Sequence, residues 1–83
     1  MELSEKQQLA LARQGDSDAF EMLVQPYEKR LYILCLRTML NEQDALDMLQ
    51  ETLIKAWRHL NQYKGDAGLG TRLYRIAVNT CMD

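Results

Sequence analysis

At 83 residues the chain is one small domain at most, with the modest stability margin of that size. Hydrophobic residues make up 47% and charged residues 27%, which suits a soluble globular protein and excludes a disordered one, while four glycines and one proline are too little turn material for an all-β domain. The net charge of −2 argues against a nucleic-acid partner only on average: residues 1–54 carry ten acids and five bases, residues 55–83 carry five bases and two acids, and such a split points to two partners of opposite sign.

Four helices are predicted. The first opens at Ser4, with Gln7 at the capping-box spacing, runs from Glu5 to about Gln14 and stops at Gly15. Asp16 to Asp18 offer the next N-cap. The second helix lines up Phe20, Leu23, Val24, Tyr27, Leu31, Leu34, Cys35 and Thr38 on one stripe, and Pro26 should kink or divide it for want of an N–H. Asn41 caps the third helix, with Glu42 and Asp44 in its first turn. Its expected core face is Leu46, Leu49, Leu53, Trp57 and Leu60, flanked by Ala45 and Ala56. Residues 62–70 hold three of the four glycines and read as the one clear loop. The fourth helix runs from about Thr71 to the end and should bury Leu73, Ile76, Ala77 and Thr80. It has neither a C-cap nor a polar tail, as expected of a piece of a longer protein. The fold class is therefore all-α, a compact bundle of three main helices plus a short N-terminal one.

Cys35 and Cys81 each take an apolar position in a helical pattern, and neither belongs to a CxxC pair. With one histidine they make no zinc site, so they read as buried free thiols of a cytoplasmic protein. No apolar run approaches the roughly 18 residues of a membrane span, and no membrane insertion is expected. No Ser, Cys or Lys has a convincing His or carboxylate partner, and His59 reads as a helix-surface residue, so no catalytic residue, cofactor or metal is expected.

Two surfaces carry chemistry. Asp47, Gln50, Glu51 and Ile54 fall at i, i+3, i+4 and i+7, an acidic strip that suits a basic coiled coil or helix pair, although spacing alone equally describes a solvated face. At the basic end, Lys55 and Arg58 share a face of the third helix, Lys64 lies in the loop, and Arg72, Arg75 and Asn79 share a face of the fourth helix. Tyr63 and Tyr74 are near in sequence. Cations interleaved with aromatic rings suit single-stranded nucleic acid, at roughly 1–3 kcal/mol per stacked base. Trp57 continues the apolar stripe and reads as core.

In order along the chain, Gly15-Asp-Ser-Asp-Ala-Phe20, Tyr27-Glu-Lys-Arg-Leu-Tyr32, Asp44-Ala-Leu-Asp-Met-Leu-Gln-Glu-Thr-Leu-Ile-Lys-Ala-Trp-Arg58, Tyr63-Lys-Gly-Asp-Ala67 and Leu73-Tyr-Arg-Ile-Ala-Val-Asn79 resemble region 2 of the extracytoplasmic-function (ECF) sigma factors of the sigma-70 superfamily. The resemblance covers nearly the whole chain. It implies one region 2 domain over 1–83, with the region 4 domain that reads the −35 element absent. It implies a non-enzymatic transcription initiation factor. Asp47, Gln50 and Glu51, with Ile54 beside them, would bind the β′ clamp coiled coil of RNA polymerase. Tyr63, Lys64, Gly65, Asp66, Ala67 and Leu69 would form the specificity loop that captures a base flipped from the non-template strand of the −10 element. Arg72, Arg75 and Asn79 would face promoter DNA, with Lys55 and Arg58 on phosphates, and trapped bases would offset a few kcal/mol of unstacking. An anti-sigma factor is a candidate further partner. The family commonly has an aromatic residue where Leu69 stands and Trp where Arg72 stands, so the packing between loop and fourth helix should be weaker here. With the region 4 domain absent, this chain alone should bind core polymerase weakly and promoters poorly. Two rivals remain: a helical adaptor whose acidic strip is its only site, and a helix-turn-helix duplex reader, whose turn is shorter than the roughly nine residues before the fourth helix.

Overall fold

The computed structural model describes residues 3–63 and 68–82. The capping box forms as expected: Gln7 N–H donates to Ser4 Oγ at 3.1 Å, and Ser4 N–H donates to Gln7 Oε1 at 2.9 Å. Each N-cap of this kind is worth about 1 kcal/mol. It opens α1 (Glu5–Arg13); Asp16, accepting from Ala19 N–H, then opens α2 (Ser17–Met39). Asn41 accepts from Asp44 N–H at 3.0 Å and opens α3 (Glu42–Arg58). A 3₁₀ turn at Leu60–Gln62 and then α4 (Leu69–Met82) complete the order, with no strand among the described residues.

α2 is the central helix: α1, α3 and α4 all pack on it, and α3 packs on α4. Its buried line is Ala19, Phe20, Leu23, Val24, Leu31 and Cys35, close to the predicted stripe, with Tyr27 and Leu34 packed against the core from its edge. Thr38 leaves the stripe. It is exposed, and its hydroxyl donates to the Leu34 carbonyl at 2.9 Å. Pro26 does not divide the helix. Its missing N–H would have met the carbonyl of Met22, and because both residues are exposed, water can satisfy that carbonyl.

The third helix is rotated from its expected facing. Ala45, Thr52 and Ala56 form its buried line, Leu49 and Leu53 pack beside it, and Leu46 is 47% exposed. Small side chains at those three positions let α3 approach its neighbours closely, which puts the larger apolar residues on the flanks. The Thr52 hydroxyl is satisfied by the Met48 carbonyl at 2.7 Å. Trp57 is a flank residue too, 36% exposed, with its ring edge-to-face on Phe20 at 4.9 Å.

The stretch expected to be a loop is shorter than its glycines suggested. Leu60–Gln62 is helical, and α4 begins at Leu69, two residues before the expected Thr71. Gly70 is required in that first turn. A Cβ there would stand 2.8 Å from Tyr27 Cε1, so any other residue would have to displace the Tyr27 ring. Leu69, Leu73, Ala77 and Thr80 are the buried residues of α4, with Ile76 at the edge. Cys35 is fully buried, and half-buried Cys81 donates to it with the sulfurs 3.5 Å apart, so both are free thiols that join α2 to the last turn of α4. Burial first, and the neighbouring Cys81 second, push the Cys35 thiol up to about 12.

Candidate functional site

The acidic strip stands on the outer side of α3. Asp47 and Gln50 are exposed, Ile54 is 41% exposed and Glu51 is half-buried. Gln43 Nε2 donates to Asp47 Oδ1 at 3.3 Å, one helical turn away. Gln50 and Ile54 also line a groove of about 710 Å³ between α3 and α2. Sequence reading missed the other wall: α2 contributes Asp18, Glu21 and Glu28, with Met22 44% exposed among them. Their spacing of three, then seven residues was a legible signal of a shared helix face, but only the packing brings that face to α3. The groove is thus acidic along its α2 wall, with Asp47 and Glu51 of α3 outside its lining and Met22, Ile54 and Trp57 as its exposed apolar residues.

The cationic residues separate into three places. Arg75 and Asn79 are exposed on α4 and Arg72, on the same face, is half-buried. Lys55 Nζ instead donates to Thr80 Oγ1 at 3.2 Å, a strut between α3 and α4. Arg58 stands in the α2–α3 groove beside Ser17 and Asp18, so it falls on the acidic side.

Leu69 is corrected as a contact residue: it is 4% exposed and belongs to the core. Beneath it, with Phe20, Leu60, Tyr63 and Arg72, lies a crevice of only about 10 Å³. That is the threshold for one water, so no base fits under Leu69. The aliphatic side chain instead fills the joint between α4 and the residues before it. Lys64, Gly65, Asp66 and Ala67 lie outside the described residues.

Tyr63, half-buried, is held from an unexpected quarter. Arg13, the last residue of α1, donates through Nη2 to the Tyr63 carbonyl and through Nε to the Leu60 carbonyl at 3.4 Å. Its guanidinium carbon lies 6.0 Å from the Tyr63 ring centroid. The N-terminal helix therefore fixes the start of the segment between α3 and α4. Nothing local in the sequence signals this pairing, because the partners are 50 residues apart. Among the described residues no His, Cys, Asp and Glu side chains converge as metal ligands, and no helix is long and apolar enough to cross a membrane.

The sequence and this arrangement of helices are shared with proteins of known kind. The family profile of Sigma-70 region 2 matches residues 23–83, and the chain belongs to that family. Several relatives within it are extracytoplasmic-function sigma factors. The ECF RNA polymerase sigma factor SigW of Bacillus subtilis is 35% identical over 83 residues, all of this chain and 44% of that protein. The RNA polymerase sigma-H factor of Pseudomonas aeruginosa is 40% identical over 76 residues, 92% of this chain and 39% of that one. The chain thus spans about two-fifths of the length of these curated relatives. Among solved structures, an engineered region 2 of sigmaE, determined by NMR in complex with GTAAAA, superposes with a TM-score of 0.85 at 35% identity, covering 96% of this chain and 83% of that one.

Proposed function

We propose that this chain is the region of a transcription initiation factor that docks on the β′ clamp coiled coil of RNA polymerase and holds the promoter −10 element open by binding its non-template strand. The observation that carries this reading is the division of charge about α2: acids line the groove toward α3, and arginines line the side toward α4. The acidic groove, with exposed Asp47 and Gln50 beside it, matches the chemistry of a basic helix pair, carboxylates pairing with guanidinium and Ile54, Met22 and Trp57 receiving apolar side chains. On the other side Arg72, Arg75 and Asn79 form a ladder along α4 suited to tracking an unpaired strand, with Tyr63 at its N-terminal end. The DNA bound by the sigmaE relative supports the second half of the proposal. Lys64, Gly65, Asp66 and Ala67 remain the candidates for capturing the flipped base.

No covalent chemistry is required. Opening the duplex costs a few kcal/mol per unstacked base, and stacking plus phosphate contacts on the captured strand offset it. The test is a fluorescence titration of the chain, with core RNA polymerase, against labelled single-stranded GTAAAA and its duplex. Salt-sensitive binding that favours the single strand is expected. Absence of salt-sensitive binding even with core polymerase would leave a protein-binding adaptor, and equal affinity for duplex would favour a groove reader.

A further inference from the structure

We propose that the cleft between α2 and α4, walled by Tyr27 and Arg30 on one side and Thr71, Tyr74 and Arg75 on the other, is a second single-strand subsite that takes one unstacked base and an adjoining phosphate. This rests on the reading of the chain as a single-strand binder and extends it to α2, a helix so far given no role with DNA.

The cleft has a volume of about 490 Å³, ample for one nucleotide. Leu31 and Gly70 complete its lining, which includes no carboxylate residue. Two guanidiniums, two phenol rings and a hydroxyl therefore meet in one concavity. Arg30 and Arg75 come from different helices and both are exposed, so they can fork onto a phosphate from two sides. Tyr74 is 51% exposed and presents its ring to a base.

Tyr27 is built in rather than merely present. Its Oη donates to Glu5 Oε2 at 2.8 Å, which anchors the ring to α1. The missing Cβ of Gly70 lets the ring lie against the α4 backbone, where any other residue would push it away. The same Glu5 bond, followed by burial, raises the phenol above its ordinary titration range, so the ring, neutral at physiological pH in any case, stays neutral further into base. A rigid, uncharged wall beside two cations suits a stacked base with its phosphate better than it suits a carboxylate peptide. Arg75 also belongs to the α4 face with Arg72 and Asn79, so a strand tracking that ladder reaches the cleft without leaving the protein surface.

The experiment uses a labelled single-stranded decamer containing GTAAAA, with the chain and core polymerase, comparing wild type with Arg30→Gln and Tyr74→Ala. Both positions are exposed, and circular dichroism checks that the helices persist. Tyr74→Ala is expected to weaken binding about tenfold, the loss of one stacked base. Arg30→Gln should make the slope of log K against log salt shallower by about 0.7, the loss of one phosphate contact. A decamer carrying 5-iodouracil at single positions should crosslink to Tyr27 or Tyr74. Wild-type affinity in both variants, with crosslinks only outside the cleft, would overturn the subsite and leave the α4 ladder standing. A wild-type chain that binds no single strand would overturn the function itself.

Discussion

The two hollows beside α2 are built from the same helix and differ in kind. Toward α3 it presents Asp18, Glu21 and Glu28 around an apolar floor, in a wide groove. Toward α4 it presents Tyr27 and Arg30, in a narrower cleft of rings and guanidiniums. The charge division seen along the chain, acids before residue 55 and bases after it, is therefore not a division between halves of the molecule. It is a division between faces. Arg30 lies far inside the acidic part of the sequence and joins the cationic side, whereas Arg58, in the basic part, lines the acidic groove. On the proposed function, one helix carrying both faces would hold two partners of opposite charge on opposite sides.

Three substitutions and one thiol-labelling experiment would break or sharpen this contrast, from the largest effect to the smallest. Asp47→Arg should lower affinity for core polymerase by about a hundredfold or more, since a like charge facing a basic partner costs several kcal/mol. Its circular dichroism should stay unchanged because the position is exposed; unfolding would show that the strip is structural. Asn79→Ala should change which −10 sequences are opened, by about tenfold between preferred and disfavoured bases, with polymerase affinity unaltered. A promoter profile identical to wild type in run-off transcription would remove Asn79 from the DNA-facing set.

Arg13→Ala should act on one side only. It removes the clamp on the Leu60 and Tyr63 carbonyls, a loss of about 1–2 kcal/mol in ordering the segment, read as a several-fold loss of single-strand binding. Equal losses of polymerase and DNA binding would instead mark a global defect. The smallest effect is chemical. With its thiol pushed up to about 12, Cys35 should resist iodoacetamide at pH 8 in the folded chain, while Cys81 reacts. Because the folded-state value is raised, the protonated thiol contributes stability that is complete below the ordinary thiol range and is lost as pH climbs toward about 12. The pair joins α2 to the last turn of α4, beyond the cleft, so Cys35 protection that persists with bound DNA would show that the two helices stay together. Rapid modification of Cys35 on adding DNA would mean that the cleft opens by separating them.

Much of this was legible from residue pattern. The N-caps at Ser4 and Asn41, the stripe of α2 and the exposed Asp47 and Gln50 follow from local hydrogen bonding and a 3.6-residue period, which operate within a turn or two. The misreadings lie where placement between distant segments, or toward solvent, overrides the local pattern. Leu46 and Trp57 were assigned to the core by hydrophobicity, but the smaller line Ala45, Thr52 and Ala56 permits the closer helix approach. Leu69 was assigned to a loop because glycines surround it, yet Gly70 is there to clear Tyr27, 43 positions earlier. Pro26 was expected to kink or divide α2; it does not divide it, and its lost hydrogen bond falls on the solvent side.

The amino-acid order alone determined that the chain is helical, roughly where each helix begins, and which residues carry charge, because capping, periodicity and side-chain chemistry are properties of neighbours. Only the tertiary structure decided which helix faces meet: that α2's acids border α3, that Arg30 joins Arg75, and that Arg13 holds the segment leading toward α4. Those pairings depend on how closely particular small side chains let helices approach, a quantity set between distant segments and encoded in neither one separately.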